Sequence, residues 1–306
     1  MNPHRLKAYL LLFFTAVIWG VAGPIIKYTL GGIAPLPFLT YRFAVSSIAA
    51  IIFLLMGISK IPKGGRIFFE TLLYGFLTST VALGLLFFGL NNTTVLDMTF
   101  ITAVGPLLIV LAGILYLKEH ITKWEKTGMS LAFIGAVITV LEPLFSGNFK
   151  IANLMGNVLV FLYLLVNTLS VVMAKRLLRK GVSPITMTNF SFIIGFVTVA
   201  PLAALQIGFF NMIDVIGNLT VPYHLSILFM ALISGNLAYA LWVRGQKTIE
   251  IGEAALFGYL YPIFAAPLAV LWLKEKVTIP FVAGAIIISI GVFIAEYKKR
   301  IYNSFV

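Results

Sequence analysis

Charged residues are spaced along this chain so that ten long apolar stretches lie between short charged loops. A helix needs roughly 20 apolar residues to cross the hydrocarbon core of a bilayer, which is about 30 Å thick. Of the 306 residues, 60% are hydrophobic and 10% are charged. A soluble protein carries about 25% charged residues, and so few charges cannot cover a water-facing surface. The sequence therefore predicts an all-α integral membrane protein.

The boundaries of the apolar stretches define ten transmembrane helices. We predict spans at residues 8–26, 36–56, 67–89, 95–117, 125–141, 152–174, 186–208, 222–243, 254–273 and 278–296. The first span follows two basic residues, as a signal peptide does. Trp19, Pro24 and Lys27 stand where a small-residue cleavage site would be, so we expect a retained helix.

The distribution of lysine and arginine supports this count and orients the chain. When the N-terminus is placed in the cytoplasm, Lys27, Lys150, Lys274 and Lys276 are the only ones of the 22 basic residues in loops on the opposite side. Arg42 is the only basic residue deep inside a span, since Lys126 lies at the cytoplasmic start of the fifth span. Cytoplasmic loops carry an excess of basic residues, and a wrong helix count would disturb that alternation. We expect a multi-pass protein of the cytoplasmic membrane with both termini in the cytoplasm.

The two halves of the chain carry one pattern twice, at an offset of 156 residues. Residues 1–145 form the first predicted repeat and residues 150–300 the second, each with five spans. An odd number of spans turns the second repeat upside down, as in secondary transporters with inverted repeats. The residues aligned at this offset are Leu117-Lys118-Glu119 with Leu273-Lys274-Glu275, Pro106 with Pro262, Gly128 with Gly284, Gly135 with Gly291 and Asp97 with Glu253. At the front of each half, across a gap in the alignment, Lys27 pairs with Lys175.

These residues resemble the EamA-domain family of the drug/metabolite transporter (DMT) superfamily, in two copies that cover nearly the whole chain. The resemblance also rests on Trp19-Gly20, Tyr41-Arg42-Phe43, Gly105-Pro106 and Tyr261-Pro262. It implies a ten-helix exporter or importer of small organic metabolites. Because members differ widely in substrate, it does not identify the cargo. Ser191 occupies the place of Arg42 in the second copy, so any role of that arginine is confined to the first half.

Polar and aromatic side chains inside the spans are the candidates for substrate binding. Arg42 is the strongest, because a charge inside the membrane is costly and a guanidinium can bind a carboxylate in a fork. Its structural alternative is a snorkelling side chain that bonds carbonyl groups at a helix end. The amides satisfy helix packing as well as they satisfy a substrate. The other candidates are Trp19, Tyr163, Asn167, Asn189, Asn236 and Tyr239.

Gating or ion coupling has only weak candidates in the sequence. Asp97 and Glu253 lie at symmetry-related starts of spans four and nine. They could titrate as gates, but acids also stabilise helix N-termini without any such role. The chain has no cysteine, and its three histidines are far apart, so we expect no metal and no cofactor. Proton exchange and facilitated diffusion remain alternatives.

The favoured function is a secondary transporter that moves amino acids or related amphipathic solutes by alternating access, with export as the favoured direction. A channel or uncoupled facilitator and a non-transport membrane scaffold are the alternatives. An enzyme is not expected, because the chain lacks an H-E-x-x-H motif, a Walker loop and an aspartate deep in a span. The expected partners are a small-molecule substrate and membrane lipid. The net charge of +12 comes from scattered loop residues and does not indicate nucleic acid. Monomer and homodimer both remain open.

Overall fold

The computed structural model describes residues 3–117, 123–141, 144, 151–249, 251, 254 and 256–303, and it is helical throughout those ranges apart from short connections. The α-helices are α1 (Pro3–Leu30), α2 (Pro35–Leu55), α3 (Gly65–Gly75), α4 (Leu83–Asn92), α5 (Val95–Thr102), α6 (Gly105–Leu117), α7 (Lys123–Val140), α8 (Ile151–Arg179), α9 (Pro184–Ile207), α10 (Phe209–Gly217), α11 (Val221–Leu228), α12 (Ala238–Thr248), α13 (Tyr261–Leu271) and α14 (Ile279–Asn303). Two π-helical segments, π1 (Phe76–Ala82) and π2 (Phe229–Leu237), and a 3-10 helix (Leu256–Leu260) complete the list.

Each predicted span overlaps an apolar helical stretch. Within the described residues, seven stretches are long and apolar enough to cross a bilayer. Shorter apolar helices at Lys126–Thr139, Phe257–Leu271 and Phe281–Gly291 correspond to predicted spans five, nine and ten. The prediction of an all-helical membrane protein is therefore confirmed.

Large apolar side chains cover the outside of the bundle. Leu55, Leu205 and Ile279 are 84%, 85% and 87% exposed, and many other aliphatic and aromatic residues are exposed with them. Soluble monomers rarely expose contiguous apolar patches larger than a few hundred Å². An apolar outer surface of this extent is suited to lipid rather than to water.

Two of the long spans change their helical pitch in the middle. The stretch Gly65–Asn92 contains π1, and the stretch Val221–Lys247 contains π2. A π-helix bonds each amide to the carbonyl five residues earlier, so it widens the helix and rotates the side chains that follow. These are the third and eighth predicted spans, which correspond to each other in the two halves.

Two other spans are broken near a proline. The stretch Val95–Gly113 is interrupted at Ala103 and Val104, after which Gly105-Pro106 begin α6. In the second half, Pro262 lies in the first turn of α13, directly after the 3-10 helix. Proline is tolerated at such starts because its missing amide hydrogen would have no intrahelical partner there. Both prolines thus begin a new helix, and neither kinks a continuous one.

Helices α7 and α14 pack closely through small residues. A Cβ atom built on Gly135 would lie 2.8 Å from the Ile288 amide nitrogen, and one on Gly291 would lie 2.6 Å from the Gly128 carbonyl oxygen. Contacts of this closeness require glycine, as in membrane helix pairs with small residues at the interface. The residues in contact are Gly135 with Gly284 and Ile288, and Gly291 with Gly128 and Ala132.

The short helix α10 was not predicted. It begins directly after Gly208, whose φ of 85° ends α9 in a conformation that favours glycine. Met212 on α10 is buried, whereas Phe209 and Phe210 are 57% and 79% exposed. Nine residues are too few to span a bilayer. The connection between the seventh and eighth spans is therefore itself a helix with an exposed apolar face.

Candidate functional site

The centre of the bundle encloses a cavity of about 140 Å³. Its walls come from α1, α2, both π segments, the two broken spans and α8. Its polar and aromatic lining comprises Trp19, Arg42, Tyr74, Thr78, Thr102, Tyr163, Asn167, Ser170, Ser234, Tyr239, Trp242 and Tyr261. We refer to this space as the central cavity.

Five of the seven predicted substrate-binding residues line the central cavity: Trp19, Arg42, Tyr163, Asn167 and Tyr239. Tyr163 and Asn167 are four residues apart on α8 and therefore share one helix face. Tyr239 begins the α-helical turn that follows π2. The structure thus brings side chains from four distant parts of the sequence to one space.

Asn189 and Asn236 lie outside the lining of the central cavity. Asn236 turns toward α2, where its Nδ2 donates a hydrogen bond of 3.2 Å to the Ser46 carbonyl oxygen. Asn189 is buried in α9, which packs against α2. The Asn236 amide thus serves a contact between π2 and α2, and Asn189 is not part of the cavity lining.

Tyr74 was not predicted, and Ser170 and Tyr261 were not chosen as substrate-binding residues, although all three line the central cavity. Ser170 lies one turn beyond Asn167 on the same face of α8, and the spacing of Tyr163, Asn167 and Ser170 in the sequence indicates that shared face. Tyr74 is the penultimate residue of α3, just before π1. Tyr74 and Thr78 are four residues apart and both line the cavity, so helical spacing gives a signal for Tyr74 that the prediction did not use.

An aromatic cluster around Trp19 forms one wall. The ring centroid of Trp19 lies 5.0 Å from Tyr239, 5.3 Å from Trp242 and 6.3 Å from Tyr261. The Trp19 Nε1–H donates a hydrogen bond of 3.0 Å to the carbonyl oxygen of Ser234 in π2. That bond fixes the indole, and the tilted and edge-to-face ring contacts are of the kind that stabilise aromatic pairs. The wall is therefore apolar and positioned by contacts between α1 and the second half.

Arg42 contributes the charge of the central cavity. The residue is 1% exposed, and its guanidinium carbon lies 5.5 Å from the centroid of the Phe87 ring and 6.0 Å from that of Phe43. These distances allow cation–π attraction. No other charged residue lines the cavity among the residues that the structure describes.

Lys27 caps the C-terminal end of α4, the last helix of the third span. Its Nζ donates hydrogen bonds of 2.8 Å and 2.6 Å to the carbonyl oxygens of Leu90 and Thr93, where α4 ends. A cation at a helix C-terminus satisfies carbonyl groups that lack an intrahelical partner and complements the helix dipole. We call this end of the bundle the Lys27 end.

Lys175 makes the corresponding contact at the opposite end. Its Nζ donates two hydrogen bonds of 2.7 Å to the carbonyl oxygens of Gln246 and Ile249, where α12 ends. Gly156, near the start of α8, contacts Gly89 beside the Lys27 end. Lys175 follows Gly156 along α8 by about 28 Å at 1.5 Å per residue. The two lysine caps thus lie about one hydrocarbon thickness apart, and we call the second one the Lys175 end.

Glu275 joins the two halves at the Lys27 end. Its carboxylate accepts hydrogen bonds from the backbone amides of Val95 at 2.7 Å and Leu96 at 3.0 Å. These are the first two residues of α5, whose amides have no intrahelical acceptor. A carboxylate at a helix N-terminus is stabilised by the helix dipole as well. Tyr28 packs nearby against Tyr223 and Trp272, which also connects the two halves.

Asp97 lies beside this end of the bundle rather than in the central cavity. It is 5% exposed in the first turn of α5, where its amide donates to the Thr94 hydroxyl at 3.0 Å. The Thr93 hydroxyl donates to the Asp97 carboxylate at 3.3 Å and also contacts Asn157. This geometry is that of a helix cap within a buried polar network. Glu253, its predicted counterpart, lies outside the described residues.

No cluster of three or more His, Asp or Glu residues that could hold a metal ion occurs in the described part of the chain. The chemistry available in the central cavity is hydrogen bonding, cation–π attraction, apolar contact and one positive charge. A membrane bundle that encloses such a space is suited to holding a small solute between two sides of a bilayer.

The chain belongs to the EamA-like transporter family, whose sequence profile matches residues 6–141 and again residues 154–297. This places it in the drug/metabolite transporter superfamily, among membrane transporters and not among enzymes. It is 24% identical over 300 residues to a protein of Archaeoglobus fulgidus named Uncharacterized transporter, with 96% of this chain and 100% of that protein covered.

Other comparisons agree with this assignment. The Bacillus subtilis protein named Uncharacterized transporter YyaM is 24% identical over 307 residues, with 98% of this chain and 97% of that protein covered. A solved crystal structure superposes with a TM-score of 0.65 at 18% sequence identity, over 96% of this chain and 97% of that chain. At that identity the likeness shows a shared fold.

Proposed function

We propose that this protein is a secondary transporter that carries small organic solutes through the central cavity by alternating access. Amino acids and related amphipathic solutes are the favoured class. The observation that carries the proposal is the central cavity, which is walled by both halves of the chain and has an aromatic wall and one charged side chain among the described residues. Aromatic and aliphatic surface with a few placed polar groups is typical of small-molecule sites.

The proposed architecture is ten spans in two inverted repeats, residues 1–145 and 150–300. The carbonyl acceptors of Lys27 and Lys175 lie 156 residues apart, which is the offset of the sequence repeat. The glycine contacts of α7 and α14 follow the same offset: exchanging the halves turns the contact of Gly135 with Gly284 into that of Gly291 with Gly128. As residue numbers rise along α7, the contacted numbers on α14 fall, so the two helices are antiparallel. An antiparallel match of equivalent helices supports inversion.

Alternating access requires that the contacts between the halves at each end can break in turn. At the Lys27 end, the Glu275 carboxylate on the amides of Val95 and Leu96 is such a contact. We propose that it acts as a latch that holds this end closed. Asp97 and the Lys27 cap, which lie on the neighbouring turns, would move with α4 and α5 when the latch opens. We propose no further titration step for Asp97 or Glu253.

Removing the latch is expected to open the Lys27 end. Glu275→Ala loses two hydrogen bonds to a charged acceptor, worth about 1.5 kcal/mol or more each. Together the two bonds amount to about 3 kcal/mol, which shifts the ratio of open to closed protein by roughly a hundredfold. The measurement is the rate at which a membrane-impermeant thiol reagent, added on the Lys27 side, labels Met98→Cys in the central cavity.

The control for the latch is Glu70→Ala, which removes an acid whose bonds to Arg66 and Lys180 lie at the other end of the bundle. It should leave the labelling rate of Met98→Cys unchanged. Equal rates with Glu275 and with Glu275→Ala would contradict the latch. Because the chain has no cysteine, a single introduced thiol reports without background.

The proposed orientation places the Lys175 end and both termini in the cytoplasm. Intact cells should therefore show labelling of Asn211→Cys in α10 by an impermeant thiol reagent, and no labelling of Lys63→Cys before lysis. Both positions are exposed, and they lie in connections between spans at opposite ends of the bundle. The reverse pattern would invert the orientation, and labelling of both would contradict the topology.

Transport itself is tested with purified protein in proteoliposomes. A carrier shows saturable flux and counterflow, in which unlabelled solute on one side drives labelled solute across from the other. Flux that never saturates and shows no counterflow would indicate a channel. A complete absence of flux over a screen of amino acids and organic acids would favour a scaffold. Efflux and uptake are measured separately, since export is the direction we propose.

A further inference from the structure

We propose that Arg42 forms a carboxylate subsite in the central cavity, and that the carried solutes are monocarboxylates with a compact apolar or aromatic body. The inference rests on the proposed transport function and names the substrate class of the same cavity. The proposed substrate class includes 2-oxo acids and aromatic acids as well as amino acids, and the carboxylate of each would take the same position.

Two of the three guanidinium nitrogens of Arg42 are buried without a hydrogen bond. Its Nε and Nη1 atoms have no hydrogen-bond partner among the described residues, and the residue is 1% exposed beside the rings of Phe43 and Phe87. A buried donor that lacks an acceptor carries a full desolvation penalty, which is larger for a charged group. The ring faces lower that cost but accept no hydrogen bond in the plane of the guanidinium. Because Arg42 lines the central cavity, a carboxylate bound there would supply these acceptors once the guanidinium turns toward it.

Within the part of the chain that the structure describes, no side chain supplies a competing anion to the central cavity. None of the described residues that line the central cavity is an Asp or a Glu. The buried acid Asp97 lies in a capping network beside the cavity, and Glu275 is bound to the start of α5. The positive charge of Arg42 is therefore available to a solute. A carboxylate fits best, because its two oxygens match two N–H groups of a guanidinium.

The remaining lining of the cavity indicates the size and polarity of the solute beyond its carboxylate. Toward the Lys175 end, the cavity is walled by the Trp19 cluster, Tyr163 and aliphatic side chains. An apolar cavity of roughly 150 Å³ holds one benzene ring, and this cavity has about 140 Å³. A second carboxylate would find no second cation in the described lining, so dicarboxylates should bind poorly. An α-ammonium group has the ring faces of Trp19 and Tyr239, which attract cations.

The test measures the binding of simple carboxylic acids to the purified wild-type protein. Trp19 and Trp242 line the cavity, so tryptophan fluorescence should change when a ligand enters. Titration with 4-methyl-2-oxopentanoate, benzoate and phenylpyruvate should show saturable binding. Benzamide, which has nearly the shape of benzoate without its charge, should bind at least tenfold more weakly. Equal affinity for benzoate and benzamide would overturn the subsite, and this comparison requires no variant.

Arg42→Gln is expected to reduce the affinity for benzoate at least tenfold and to leave benzamide binding unchanged. Arg66→Gln, which alters an arginine exposed at the Lys175 end, is the matched control and should bind as wild type does. Size-exclusion profiles and thermal unfolding check that the variants are folded. If Arg42→Gln does not fold, Arg42→Lys retains the charge and should still prefer benzoate to benzamide. Loss of that preference in a folded Arg42→Lys protein would contradict recognition by charge.

Different results would reject the carboxylate subsite and the transport function. Carboxylate binding that depends on Arg42, without flux in proteoliposomes, would keep the subsite and reject transport. Saturable flux of neutral or cationic solutes, without carboxylate binding, would keep transport and reject the subsite.

Discussion

Ser170→Trp is expected to abolish transport while the protein stays folded. Ser170 lies on the face of α8 that lines the central cavity, and it is buried there. An indole at this position would occupy most of a cavity of about 140 Å³ and exclude a solute. Filling existing space costs a membrane helix bundle little, whereas overpacking a dense core costs about 1–3 kcal/mol. We expect solute flux in proteoliposomes to fall at least tenfold.

The neighbouring residue provides the matched control for the blocked cavity. Leu169 is 44% exposed on the outer side of α8, so Leu169→Trp adds the same side chain to the surface. Its flux should remain within about twofold of wild type, because the substitution changes surface packing alone. Wild-type flux in folded Ser170→Trp protein would show that solutes do not pass through the central cavity. Equal loss in both variants would point to a packing effect of tryptophan on α8.

Gly291→Leu is expected to prevent stable folding. A Cβ at this position would lie 2.6 Å from the Gly128 carbonyl oxygen, and closer still to the backbone of Ala132 on α7. Backbone atoms cannot rotate away as a flexible side chain can, so α7 and α14 would have to separate. The loss of this packing, together with strain, should cost about 3 kcal/mol or more. We expect little monodisperse protein after detergent extraction, and a much lower midpoint of thermal unfolding for what remains.

Gly84→Leu is the matched control for the helix contact. A Cβ on Gly84, in α4, would meet nothing within 4 Å, so leucine has room there. Leucine is also a better helix former than glycine by somewhat less than 1 kcal/mol, which favours normal or slightly raised stability. Equal yield and equal thermal stability of Gly84→Leu and Gly291→Leu would contradict the close packing of α7 and α14.

The regular parts of the fold could be predicted from sequence because the membrane imposes one simple requirement. A span in lipid must be apolar and must satisfy its backbone hydrogen bonds internally, which a helix does. That requirement acts residue by residue and leaves its record in the spacing of charges. It places the helices at residues 35–55 or 184–207 within a few positions. It carries no information on where a helix widens into π1 or π2, because side chains from other helices decide that.

The candidate site was predicted in part for the same reason. Arg42 stands out in any apolar span because its charge is expensive there, and Tyr163 with Asn167 form a polar face on one helix. Asn189 and Asn236 carry the same local signal but are not part of the cavity lining, because the polarity of an amide in a span does not tell whether it faces another helix or a cavity. Tyr74 lines the cavity together with Thr78, four residues later, so it carries the same kind of signal as Tyr163 with Asn167 although it was not predicted.

The sequence by itself determined that this protein lies in lipid, that it belongs to a transporter family and where its apolar helices are placed. These features can be predicted because hydropathy and the spacing of glycines and prolines are local properties. Only the tertiary structure decided that Lys27 and Lys175 cap corresponding helices at opposite ends, that Glu275 bridges the halves and that Arg42 meets the Trp19 cluster across one cavity. These contacts join residues far apart in the chain. They depend on how helices cross, which is set by packing between surfaces and leaves no periodic trace along the chain.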